Sequence, residues 1–373
     1  MKTLKEIMPA VHRVFNFASG PAVMPVPVLE QIQRDLLALP GVGISILEIS
    51  HRSKTFESIL AQAEADIRAL ADVPQNYRVL FLQGGASLQF SMVPMNLLDA
   101  GSVADYIDAG SWADKAIQEA RKVGRVNLAA STRAERYTRI PAPRELQLSP
   151  DAAYVHITSN NTIEGTQWRD LPDVGRAPLV SDTSSDMFSR PIDIEKHGMV
   201  YAGAQKNLGP AGVTLVIIRD DLVSRSAAKK SSIPTMMNYA VHAENRSLYN
   251  TPPTFAVYSL GLVMKWLAAE GGLAAIARLN ERKAAKLYGE IDRTGFYRGT
   301  AAPEARSTMN VTFRLPNEAL EKQFVTDSTK AGLDGLQGHR AVGGMRASIY
   351  NAFPEAGVDA LVDFMREFER RHG

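Results

Sequence analysis

A lysine set among small residues is the first candidate for chemistry. Lys206 lies in Gly203-Ala204-Gln205-Lys206-Asn207-Leu208-Gly209-Pro210-Ala211-Gly212, directly after the apolar run Met199 to Ala202. Solvated surface lysines usually have polar or charged neighbours, whereas these glycines let a bound group approach the amine, whose chemistry would be nucleophilic. Three more features follow apolar runs. Asp182 comes after Pro178 to Ser181 and precedes Thr183-Ser184-Ser185; a carboxylate there suits a cationic ring nitrogen or a metal, or it caps a helix. Trp112, in Asp108-Ala109-Gly110-Ser111-Trp112, offers a flat ring for stacking or else a core side chain. Gln83-Gly84-Gly85-Ala86-Ser87 is a glycine turn opening a helix. Its free N–H groups attract phosphate, unless it is a plain strand-to-helix turn. It is neither a Walker loop nor a G-x-G-x-x-G fingerprint.

Taken together, a phosphate cradle, a stacking ring, an acid for a ring nitrogen and a lysine are the groups that pyridoxal phosphate requires. Composition narrows the alternatives. The 373 residues include 42 basic and 40 acidic side chains, a net charge of +2 with no block of like charge, so nucleic acid is not an expected partner. The absence of cysteine removes disulfides, Cys-ligated zinc, iron–sulfur clusters and any thiolate nucleophile. The first residues, MKTLKEIMPAVHRVF, lack the apolar run of a signal peptide, and no stretch reaches the roughly 18 apolar residues of a membrane span, so a cytoplasmic protein without membrane contact is expected.

Apolar runs and helical patterns must place these groups. Runs at Arg78 to Leu82, Val103 to Ile107, Arg125 to Leu128, Ala153 to Thr158, Pro178 to Ser181, Met199 to Ala202 and Val213 to Ile218 read as strands. Helical patterns at Ser87 to Leu98 and Ala113 to Lys122 lie between them. This predicts a doubly wound α/β domain with a mostly parallel sheet, in which ligands sit beyond the carboxyl ends of the strands. After Pro252-Pro253 come helical patterns from Phe255 to Ala269 and Leu273 to Asp292. Strand (Met309 to Leu315), helix (Glu318 to Ala331), strand (Met345 to Tyr350) and helix (Val358 to Arg370) then predict a smaller α+β domain. The expected division is an arm over 1–25 joining the small domain, a large domain over 26–272 and a small domain over 273–373. Ala227 to Ser232 is the best candidate for a mobile loop.

Longer stretches carry a resemblance. Phe15 to Ala22 (FNFASGPA), Glu48 to Arg52 (EISHR), Tyr201 to Gly212 (YAGAQKNLGPAG), Tyr249 to Phe255 (YNTPPTF) and Gly338 to Asn351 (GHRAVGGMRASIYN) occur in order across both expected domains. In these the chain resembles the phosphoserine aminotransferase family: homodimeric, fold-type-I pyridoxal-phosphate enzymes of serine biosynthesis, aspartate aminotransferase-like in architecture. The resemblance implies one cofactor per subunit, bound as a Schiff base to Lys206, which also moves protons. It gives Asp182 to the ring nitrogen, Trp112 to the ring face and Thr162, in Asn160 to Gly165 (NNTIEG), to the phenolic oxygen. Ala86, Ser87 and Gln205 would hold the phosphate, with Asn250 and Thr251 from the second subunit. Some members have glycine and arginine where this chain has Ala86 and Ser87, so charge at that corner must come from N–H groups and the Ser87 hydroxyl.

The substrates that the resemblance implies make demands that charge can state. An enzyme exchanging an amino group between glutamate and 3-phosphohydroxypyruvate, giving phosphoserine and 2-oxoglutarate, must fork one α-carboxylate and accept a distal anion that is carboxylate or phosphate. By resemblance Arg346 takes the α-carboxylate, and His51, Arg52, His339 and Arg340 form the distal cluster, His51 and Arg52 being lent by the partner. Ser19 is expected to touch substrate. Relatives also process phosphohydroxythreonine in pyridoxine synthesis. His-Arg occurs three times, at 12–13, 51–52 and 339–340, so the dipeptide alone identifies nothing. Among rivals on this fold, a desulfurase needs the missing cysteine, and a glyoxylate aminotransferase has no use for a four-residue anion cluster. A binding protein that had lost catalysis would lack Lys206 or Asp182.

Overall fold

Alternating β-rich runs build the centre of the molecule. The computed structural model describes residues 13–373; His12 of the first His-Arg pair and most of the stretch read for a signal peptide lie outside the described residues. Seven strands, β1 Tyr77–Leu82, β2 Val103–Asp108, β3 Arg125–Ser131, β4 Val155–Thr158, β5 Leu179–Asp182, β6 Met199–Gly203 and β7 Thr214–Arg219, form one sheet in the order β1-β7-β6-β5-β4-β2-β3. Val200, Ala202, Leu215 and Ile217 pack on one side, Met199, Tyr201, Val216 and Ile218 on the other. Both faces are apolar, so both are covered by helices. α1 Val26–Asp35, α2 Lys54–Leu70 and α7 Thr254–Ala269 cover the first; α3 Gly85–Leu97, α4 Ser111–Val123, α5 Asp220–Ala227 and α6 Tyr239–Glu244 cover the second.

Neither α1 nor α2 is among the helices expected from sequence. α2 nevertheless carries its own signals: Ser53 accepts from Phe56 N at 3.2 Å, and Phe56, Leu60, Ala63 and Ile67 form one buried stripe. Burying each of its larger side chains is worth about 1.5–3 kcal/mol. The run Val213 to Ile218 is a strand as expected, but β7 runs antiparallel to both β1 and β6, while the other pairs are parallel. The connection from β6 to β7 is too short for a crossover helix, so the chain turns back instead. β5 is shifted by one residue from its expected limits, which puts Asp182 on the strand, opposite Thr158 and Tyr201. Trp112 lies in the first turn of α4.

Of residues 227–232, expected as a mobile loop, Ala227 ends α5 and the others close as a turn after it. There Lys229 Nζ donates to Leu98 O at 2.7 Å and pairs with Asp99 at 2.9 Å, and Lys230 pairs with Glu244. A second apolar core holds β8 Arg298–Gly299, β9 Asn310–Arg314 and β10 Met345–Ser348 against α8 Gly272–Ile291, α9 Glu318–Lys330 and α10 Glu355–His372. Phe15–Asn16 joins it by pairing with Leu333–Asp334. Lys283 of α8 is buried and donates to the carbonyls of Ile349, Tyr350 and Phe353 at 3.0, 2.7 and 3.1 Å, tying α8 to the turn after β10. No single helix among the described residues is long and apolar enough to cross a membrane.

Candidate active site

The ends of β4, β5 and β6 bring the expected lysine and aspartate together. Lys206 lies in the β6–β7 connection, closed by Ala204 N donating to Val213 O at 3.0 Å and by Ala22 N donating to Gln205 O at 2.8 Å. Burial lowers the Lys206 amine to about 8; Asp182 opposes the shift and Arg346 adds to it. Asp182 Oδ1 accepts from Ser184 N at 3.0 Å, yet burial still raises its carboxyl above the usual range, against the pull of Ser184 and Lys206. A buried carboxylate in this position gains from a cationic partner.

Trp112 faces the lysine. Lys206 Nζ is 5.9 Å from the Trp112 ring centroid, and Trp112 Nε1 donates to Thr162 Oγ1 at 2.9 Å. Accepting that bond leaves the Thr162 hydroxyl proton free to donate elsewhere. Arg346, on β10, donates to Thr162 O at 3.2 Å and to Ser19 Oγ at 2.7 Å, so one threonine links the tryptophan to the arginine. The loop holding Thr162 docks on the second core through Gly165. Its φ is +77°, and a Cβ there would stand 2.1 Å from Thr312 Oγ1, so only glycine permits the approach.

A helix N-terminus completes this side. Gly84 precedes α3 at φ +84°, where a Cβ would be 2.6 Å from Leu88 Cβ, and as the N-cap residue it offers the helix no side-chain bond. No acidic residue occupies its first turn, so the N–H groups around Ala86 and Ser87 are open to an anion. Gln205 adjoins Lys206, and Thr251 O accepts from Gln83 Nε2 at 3.4 Å, which places Asn250 and Thr251 beside the same turn of their own chain. Thr158 Oγ1, opposite Asp182 in register, is buried without a partner among the described residues. A lowered amine, a flat ring, a buried acid and an uncapped helix end on one sheet edge fit pyridoxal phosphate by the chemistry of their donors.

Other expected residues are not drawn into this cluster. His51 and Arg52 lie in the turn before α2, and Arg52 is exposed. His51 Nε2 is buried with no partner among the described residues. Arg340 is exposed, while His339 accepts from Ala341 N at 3.2 Å. Burial, then Arg346, Lys115 and Arg340, hold the His339 imidazole below its ordinary value. His339 and Arg346 both line a cavity of about 930 Å³.

Two groups went unread in sequence. Glu164 Oε1 accepts from Ser111 N at 2.9 Å and from Ser111 Oγ at 2.5 Å, steadying the turn that carries Trp112, and burial raises its carboxyl. It sits in the stretch Asn160 to Gly165 beside Thr162, but its contact with Ser111 has no signature in spacing. Tyr350 donates to Ser19 O at 2.7 Å, across more than 300 residues of sequence.

Comparison with known proteins agrees with this geometry. The sequence model of the aminotransferase class-V family matches residues 14–361. The chain is 54% identical over 361 residues to the phosphoserine aminotransferase of Herpetosiphon aurantiacus, covering 96% of this chain and 99% of that protein. It superposes on the phosphoserine aminotransferase of Bacillus circulans subsp. alkalophilus with a TM-score of 0.94 at 49% identity, over 97% of this chain and 99% of that one. A phosphoserine aminotransferase from Trichomonas vaginalis with bound pyridoxal phosphate gives a TM-score of 0.90 at 39% identity, over 95% and 100%.

Proposed function

The chain belongs to the class-V aminotransferases and, within them, to the phosphoserine aminotransferases, and on that premise we propose how its residues carry the reaction. It moves an amino group from L-glutamate to 3-phosphohydroxypyruvate, giving O-phospho-L-serine and 2-oxoglutarate, with pyridoxal 5'-phosphate as cofactor. When bound, the cofactor supplies a carbonyl that condenses with amines and a protonated ring that takes up the electron pair left at the α-carbon.

Lys206 Nζ would anchor the cofactor, and the same amine lifts and returns the substrate's α proton. An amine at about 8 is partly unprotonated near neutral pH, as that work requires. Asp182 would pair with the ring nitrogen, and Trp112 would cover the ring. Thr162 donates to the ring oxygen. The α3 N-terminus at Ala86 and Ser87, with Gln205, would hold the phosphate, joined by Asn250 and Thr251 of the partner subunit, while within one chain Thr251 O stays on Gln83 of the same turn. Arg346, oriented by Ser19 and Thr162, forks the α-carboxylate. His339 and Arg340 bind the distal anion together with His51 and Arg52 of the partner subunit.

The homodimer has its own support. Leu36, Leu37, Val42, Ile44 and Leu47 are all exposed, Leu37 by 89%, in the segment just before His51 and Arg52. Five exposed large apolar side chains within twelve residues are what a subunit interface would cover. The first core takes in Leu273 and Ile276 at the start of α8 and the second begins at Ala284 and includes Phe17, which supports a large domain and a small one that divide within α8, a few residues after the expected 272/273 boundary, with the N-terminal arm joining the small one.

The observation that carries this reading is the lowered Lys206 amine held between Asp182, Trp112 and Arg346. A visible spectrum of the holoenzyme tests it: the yellow band should fall on adding phosphoserine or glutamate and stay with alanine. A response to alanine overturns the substrate assignment, and a protein that stays colourless with added pyridoxal phosphate overturns the mechanism.

A further inference from the structure

Seven arginines lie in the two segments, 133–139 and 293–314, that border the cavity holding His339 and Arg346. Five are neutralised. Arg133 pairs with Asp108 and Asp114, Arg139 with Glu135 and Glu145, Arg293 with Glu290 and Glu369, Arg306 with Asp292, and Arg314 with Glu321. Arg136 and Arg298 have no carboxylate partner among the described residues; both are exposed, and both line the cavity. Arg136 and Tyr137 also hold the left-handed backbone region in succession, at φ +54° and +58°, which disfavours side chains of their kind. Of the acids on the wall, Glu164 is tied to Ser111 and Glu318 lies exposed on the rim.

We propose that Arg136 and Arg298 form an outer anion site that captures the phosphate-bearing substrate at the cavity mouth, ahead of its delivery to His339 and Arg346. The inference rests on the transamination assigned above. Two uncompensated guanidiniums on the wall of a low-dielectric cleft raise the local concentration of a phosphate monoester dianion, and salt screens the effect over about 10 Å at 0.1 M. They act on encounter and leave the chemical step alone.

The test is the double variant Arg136→Gln/Arg298→Gln, prepared as holoenzyme and assayed with phosphoserine at low and high salt. At low salt kcat/KM should fall about tenfold or more, with kcat and the cofactor spectrum unchanged and a flatter salt dependence. The Arg136→Lys/Arg298→Lys pair should keep most of the parent's kcat/KM, because steering needs charge rather than fork geometry. Unchanged kcat/KM and salt slope in the Gln pair, a fall in kcat, or a Lys pair as slow as the Gln pair each overturn the site. Calorimetric titration with inorganic phosphate separates this from the reaction itself. Weaker phosphate binding by the Gln pair upholds the site even if phosphoserine is not turned over, and equal binding overturns it.

Discussion

Around Lys206 a single chain supplies its own contacts, whereas around His339 and Arg340 it leaves the side chains open. On the first side Ser184 holds Asp182, Thr162 holds Trp112, and Thr162 with Ser19 holds Arg346. On the second, Arg340 is exposed and His51 Nε2 lacks a partner among the described residues. The contrast follows from what each half binds in the proposed reaction. A group of unvarying shape, the cofactor ring or the α-carboxylate common to every substrate, rewards rigid donors, which lose nothing by being ordered beforehand. A distal anion that alternates between carboxylate and phosphate rewards several mobile cations, completed by a second subunit.

The largest expected effect breaks the closed half. Lys206→Ala should cut turnover by on the order of 10⁴-fold or more while leaving the melting temperature unchanged or raised, since a poorly solvated amine is removed. Turnover near that of the parent would end the mechanism. Next, Arg340→Ala tests the open half. Once substrate and partner desolvate it, the loss for phosphoserine and glutamate should be about 2–5 kcal/mol in binding, with alanine unaffected. Equal losses for all three amino acids would make Arg340 structural.

Two pH experiments sharpen the same contrast. With the Lys206 amine lowered to about 8, the free-base fraction grows as pH rises, so capture of pyridoxal phosphate by the apoenzyme should speed up roughly tenfold per unit below that value and level off above it. A rate still climbing well past pH 9 would mean an ordinary, solvated lysine. The smallest effect concerns His339, whose imidazole is held below its ordinary value by burial and by neighbouring cations. A bound phosphate dianion should reverse that shift, so phosphoserine binding takes up a fraction of a proton and weakens as pH rises through the histidine range. Calorimetry in buffers of different ionisation enthalpy measures the uptake, and its absence would place His339 away from the phosphate.

Four features of the proposed cofactor side were legible in the pattern because each follows or ends an apolar run, whereas Thr162, Gln205, Asn250 and Thr251 came only from the family resemblance. Lys206, Asp182, Trp112 and the Gly84-Gly85 turn all stand at strand ends, where a doubly wound sheet collects its ligands. The details that failed were those that pairing decides. Asp182 closes β5 because its neighbours on β4 and β6 extend far enough to bond it. β7 is antiparallel because the lysine connection is short. α2 escaped notice although its apolar stripe is regular, and Glu164 escaped because its partner Ser111 lies 53 residues away.

By itself the sequence determined the class of fold, the family and the residue types available for chemistry, since periodicity, glycine placement and ordered motifs are local properties of the chain. Only the tertiary structure decided that Lys206 meets Trp112, that Thr162 links Trp112 to Arg346, that Gly165 must stay small against Thr312, and that Arg136 and Arg298 are left without acids among the described residues. Those facts depend on which distant side chains share a volume. Burial, charge balance and proton affinity are properties of that volume, which no window of sequence contains.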